Sequence, residues 1–99
     1  MSAINSAQAL GLFKIRLDRL ASDTSRDDYF QARIEAAAEE IEHTGIVLTD
    51  STADLMLVVD CAVWQYQNRD QPGAMPDWLR LRRRERWLNE SGEAVSDDP

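Results

Sequence analysis

Between Thr52 and Asp70 runs the stretch that most restricts how this chain folds. Leu55, Val58, Val59, Ala62, Val63 and Tyr66 recur there at helical spacing, and Met56 and Leu57 widen the stripe. A helix apolar over so much of its circumference is buried on several sides. Asp60 interrupts the run, which also falls short of the roughly 20 apolar residues that cross a bilayer, so no membrane span is expected. The stretch therefore reads as the centre of an all-α domain, a small bundle of about four helices around one apolar helix. Ninety-nine residues suit a single domain, and a hydrophobic share of 43% is ordinary for a chain that folds.

The remaining elements follow from pattern and punctuation. A first helix is predicted over Ser2–Leu17, with Leu10, Phe13 and Leu17 on one face. Asp18–Arg26 is polar, and Ser25 with Asp28, or Thr24 with Asp27, has the spacing of a capping box. The second helix carries Phe30, Ile34, Ala37, Ala38 and Ile41 as one stripe and Gln31, Glu35, Glu39 and Glu42 mostly away from it. Gly45 after Thr44 suits a left-handed C-terminal cap. Ile46-Val47-Leu48 should plug one end of the core. Ser51 and Asp54 repeat the capping spacing before the central helix, and Pro72-Gly73 should stop it. Pro76 suits the first position of a last helix, Asp77–Glu90. Residues 1–90 thus form one helical domain, and Ser91–Pro99 an acidic flexible tail.

No residue constellation points to catalysis. His43 and Cys61 are each the sole residue of their kind, so zinc-type spacing is absent, and no glycine-rich phosphate loop occurs. No catalytic residue, cofactor or metal is expected. Cys61 lies in the apolar run and reads as a small buried thiol. The carboxylates of Glu35, Glu39, Glu40 and Glu42 read as a solvated face. Asp60, on a mostly apolar helix, should face solvent or meet an arginine, because an unpaired buried carboxylate is costly. The opening Met-Ser-Ala-Ile-Asn lacks a basic segment leading into an apolar run, so no secretory signal is expected.

Charge separates the chain into unlike parts. The net charge of −7 disfavours unassisted binding to nucleic acid or anionic membrane. Acidic residues dominate between positions 18 and 60, whereas Arg80, Arg82, Arg83, Arg84 and Arg86 crowd the last helix. Three readings of that helix are open. Its arginines could track phosphates beside Trp78 and Trp87. Alternatively, Trp78, Leu81, Trp87 and Leu88 pack inward while the arginines reach water. The third reading fits the charges best: Arg80, Arg83 or Arg84 meets Glu39 and Glu42 of a neighbouring protomer, a head-to-tail contact that can close into a ring.

The order and spacing of several short segments carry a resemblance. They are Lys14-Ile15-Arg16-Leu17, Asp27-Asp28, Ala37-Ala38-Glu39-Glu40-Ile41-Glu42 leading into Thr44-Gly45, Trp64-Gln65-Tyr66-Gln67-Asn68-Arg69, and Met75-Pro76. Over roughly Leu12 to Leu88 the chain resembles the head–tail connector (adaptor) proteins of tailed bacteriophages, although His43 stands where that family usually has an aromatic. The resemblance implies an α-helical protomer without enzymatic activity, found in the virion at the head–tail interface and in the host cytoplasm during assembly. It implies a dodecameric ring between the phage portal protein and a tail-completion or stopper protein, with DNA passing non-specifically through the lumen. Lys14, Thr44, Gly45, Tyr66 and Arg69 are its motif positions. The C-terminal region, Ser91, Gly92, Glu93, Ala94 and Val95, would reach toward the portal. The alternative from another class is an acidic, DNA-mimicking regulator that acts on a protein partner as a monomer or dimer.

Overall fold

Short polar side chains set three of the helix boundaries, the starts of the first and third helices and the end of the third. In the computed structural model, which describes residues 4–20, 22–70 and 73–91, Asn5 caps helix α1 (Ser6–Arg16) by accepting the Gln8 amide at 3.0 Å. That cap sets the start at Ser6; the expected start, Ser2, lies outside the described residues. Leu17 closes the helix, and Asp18 follows with φ 58°, a left-handed conformation that aspartate tolerates better than most residues. Ala9 and Phe13 are buried, while Leu10 and Leu17 pack on the core from its margin.

Helix α2 (Asp27–His43) starts without the expected capping box. The Ser25 hydroxyl is engaged elsewhere: it donates to Asp23 Oδ1 at 2.7 Å, and the Ser25 amide donates to the same oxygen at 3.1 Å. Arg26 is left at the cap position with no side-chain acceptor to offer. The other end matches expectation. The Thr44 hydroxyl donates to the Ile41 carbonyl at 2.6 Å, and Gly45 turns the chain with φ 102°. The full stripe Phe30, Ile34, Ala37, Ala38 and Ile41 is buried. In the bridge that follows, Ile46 and Leu48 enter the core, whereas Val47 alternates outward.

Helix α3 (Thr52–Gln67) is capped by Ser51, whose hydroxyl accepts the Asp54 amide at 3.1 Å. The Asp54 carboxylate reaches back to the amide and hydroxyl of Thr49, both at 2.8 Å. The helix ends well before Pro72-Gly73, because Asn68 donates from its backbone and its side chain to the Trp64 carbonyl. From Leu55 to Tyr66 it buries nearly every apolar side chain. Leu55, Val59, Ala62, Val63 and Tyr66 join Phe30, Ile34 and Ile41 in one contiguous core.

Helix α4 (Asp77–Ser91) follows Pro76, whose carbonyl accepts the Leu79 and Arg80 amides. Proline therefore sits just outside the helix, one residue earlier than expected. Helices α1, α2 and α3 pack mutually, and α4 lies against α3, so the molecule is an all-α bundle with α3 at its centre. Among the described residues, no helix is long and apolar enough to cross a membrane.

Candidate functional site

Helix α4 is attached through its arginines. Its one fully buried apolar side chain is Leu79. Position 79 with Arg82, Arg83 and Arg86 follows helical spacing, so these residues share the face turned toward α3. Two acids wait there. Asp54 and Asp60 are only 2% and 6% exposed on α3. Arg86 makes a forked pair with Asp54, Nε to Oδ1 at 2.7 Å and Nη2 to Oδ2 at 3.1 Å, the planar geometry that suits guanidinium to carboxylate. Its Nη2 also donates to the Val47 carbonyl at 2.8 Å, and Nη1 to Glu90 at 2.7 Å. Arg82 pairs with Asp60 from one side and Arg16 of α1 from the other. Asp60 thereby joins three helices, as an arginine partner for it was expected to do.

Arg83 donates through both terminal nitrogens to Glu40 of α2 at 3.3 Å, and Gln65 braces the same carboxylate at 3.1 Å. Trp87 donates its ring N–H to the Thr44 carbonyl at 2.8 Å. These contacts correct the inward placement of Trp78, Leu81, Trp87 and Leu88: Trp78 and Leu81 are 50% exposed and Leu88 44%. On α4, Arg82, Arg83 and Arg86 turn inward with Leu79, while Trp78, Leu81 and Leu88 stand outward with Arg80 and Arg84. Buried acids on α3 reverse the usual rule, since each needs a cation more than α4 needs to bury its tryptophans.

Of the expected contact residues, Arg83 is therefore engaged by its own chain. Arg80 pairs with Asp77 at 2.7 Å within its own helix and stays exposed. Arg84 is exposed and makes no ion pair with the described residues. Glu39 and Glu42 line a shallow surface depression with His43. The motif positions act locally. Lys14 is buried and pairs with Asp27 at 2.9 Å, tying α1 to the start of α2. Thr44 and Gly45 form the C-terminal cap of α2, and the Arg69 guanidinium stacks 4.1 Å from the Tyr66 ring centroid. Ser91 is the last residue of α4, and Gly92, Glu93, Ala94 and Val95 lie outside the described residues. Cys61 is fully buried, which pushes its thiol up to about 11 and leaves it un-ionised and unreactive at neutral pH.

Burial alone would raise the Asp54 carboxyl, but hydrogen bonds from Arg86 and from the Thr49 amide and hydroxyl outweigh it and hold the group below its ordinary value of 3.8. The bond to Asp54 correspondingly lifts Arg86 above the usual arginine range. A carboxyl whose folded pKa is depressed stabilises the fold fully above its unfolded pKa, and that contribution is lost as pH falls through the folded value. Acidification below about 3.8 should therefore release α4 while α1–α3 stay packed. Tryptophan emission should shift before the far-ultraviolet circular dichroism falls. Asp54→Asn should show the released emission already at neutral pH. Coincident loss of both signals would mean that α4 is not held separately.

Neither a known protein family, nor a characterised protein, nor a solved structure matches this chain.

Proposed function

We propose that this protein is a structural ring-forming connector of the kind that joins portal and tail-completion proteins in tailed bacteriophages. The observation that carries this reading is the outward face of α4. Trp78, Leu81 and Leu88 stand exposed there beside Arg80 and Arg84, and an apolar stripe rimmed by charge marks an interaction surface. The exposed carboxylates of Glu35 and Glu39 with the half-buried Glu42 on α2 supply an unlike face on the same protomer. Two unlike faces allow head-to-tail contact, and such contact closes into a ring when the rotation permits. The order and spacing of the short segments that resemble the connector family supply the second line of support.

In such a ring the apolar stripe provides most of the attraction. Each rim ion pair contributes only about 0–1 kcal/mol, repeated once per subunit. An acidic inner wall would repel DNA phosphates and let the duplex slide.

Light scattering and electron microscopy of the purified protein, alone and with portal-bearing heads, test the proposal. Rings or head-bound assemblies are expected. Arg80→Glu with Arg84→Glu should abolish them while the helical circular dichroism is kept, because neither side chain anchors α4 to the bundle. Rings that survive the reversal would place the contact elsewhere. A persistent monomer or dimer that ignores portal-bearing heads would overturn the connector reading and favour the acidic regulator.

A further inference from the structure

The outward stripe of α4 needs an apolar counterpart, and the acidic face of α2 does not supply one: Glu39, Glu42 and His43 line only a polar depression. Helix α1 does. A groove of about 260 Å³ runs along it, walled by Ala7, Leu10, Gly11 and Ile15 and closed at one end by the Lys14–Asp27 pair. Gly11 keeps the groove wide, since a Cβ there would meet nothing within 4 Å. Ile15 stands on its edge, 68% exposed.

Charge joins this groove to the α4 stripe. Asp27, Gln31, Glu35 and Glu39 stand four residues apart and so form one row along α2, which means that the acidic face begins at the groove. Asp18 is exposed beside Ile15, and Asp23 lies close enough to Lys14 and Arg19 to feel both their charges. Against this rim α4 brings Arg80 and Arg84. Its exposed acid, Glu85, falls between Leu81 and Leu88 and suits Arg19, which lies over the Phe30 ring at the groove. The hollow beside the exposed Tyr29 is a poorer match. Arg26 and Arg69 line it against one carboxylate, Asp28, and would repel the arginines of α4.

Within one protomer α4 packs on α3 and makes no contact with α1, so a chain does not fill the groove with its own stripe. We infer that the α1 groove receives Trp78 of a second copy, with Leu81 following it along the wall. A large aromatic side chain seated in a hollow and ringed by charge is the usual anchor of a protein contact. The inference rests on the head-to-tail reading and specifies where the apolar half of that contact lies.

The test uses two variants that break opposite halves of the contact. Gly11→Leu fills the groove, and its melting temperature should not fall, because leucine favours a helix more than glycine does. Trp78→Ser with Leu81→Ser removes the stripe and should keep the helical circular dichroism. By light scattering, at concentrations where the parent protein forms rings, each variant alone should remain a monomer. An equimolar mixture should give a heterodimer and nothing larger, since it holds one intact stripe and one intact groove. Rings from Gly11→Leu alone, or a mixture that stays monomeric, would overturn the groove assignment while parent rings leave the connector reading standing. A parent protein that assembles neither alone nor on portal-bearing heads would overturn both.

Discussion

Phe30→Ala should lower stability by about 3–5 kcal/mol, a large part of the roughly 5–15 kcal/mol typical of a domain. Phe30 is almost fully buried, with ring centroids 5.1 Å from Phe13 and 5.6 Å from Tyr66, so three helices lose contacts at once. The cavity cannot close readily, because the surrounding rings are themselves fixed by tilted and edge-on packing. At about 4–8 °C per kcal/mol for a domain of this size, the change should be plain in thermal melts followed by circular dichroism. A melting temperature within a few degrees of the parent would show that the aromatic cluster is not the structural keystone.

Asp60→Ala is expected to have the second largest effect, about 3 kcal/mol. The carboxylate is buried, and its removal leaves the Arg16 and Arg82 guanidinium groups facing each other without a counter-charge. The cost stays at the low end of the range for broken buried pairs because both arginines keep partial access to water. Replacing all three residues by apolar ones of similar volume (Arg16→Met, Asp60→Leu, Arg82→Met) should recover most of the loss, since the desolvation cost of the charges vanishes with them. Denaturant melts of the single and triple variants decide the matter. Equal destabilisation in both would mean that the triad is net favourable rather than merely satisfied.

The body of the fold was legible because apolar periodicity and burial coincide in α2 and α3. Each expected core position from Phe30 to Tyr66 is buried there. In α4 the same logic failed. Its apolar residues invited an inward reading, but the helix turns its arginines to α3, and only the acids at 54 and 60 could have announced that. Asp60 did so, standing alone in an apolar run, whereas Asp54 lay near enough to a helix start to pass for a cap. Helix ends were read unevenly for a related reason. Where several aspartates and serines cluster, as between Ser22 and Asp28, more than one local hydrogen-bond pattern is available, and the Asp23–Ser25 turn displaced the capping box. Asn5 and Asn68 cap helices from positions that the hydrophobic pattern does not mark.

A helix fastened by ion pairs to a body closed by apolar packing gives one small molecule two different responses to its medium. Sulfate strengthens apolar attraction, and cooling weakens it. The Arg83–Glu40 pair, whose carboxylate is half exposed, instead fades as the screening length contracts, from about 8 Å at physiological ionic strength to about 3 Å at 1 M. Concentrated sulfate should thus tighten α1–α3 while loosening α4, and cold dilute buffer should do the reverse. Ionic strength alone then sets how firmly the tryptophan-bearing face is presented, while the body that carries it stays closed.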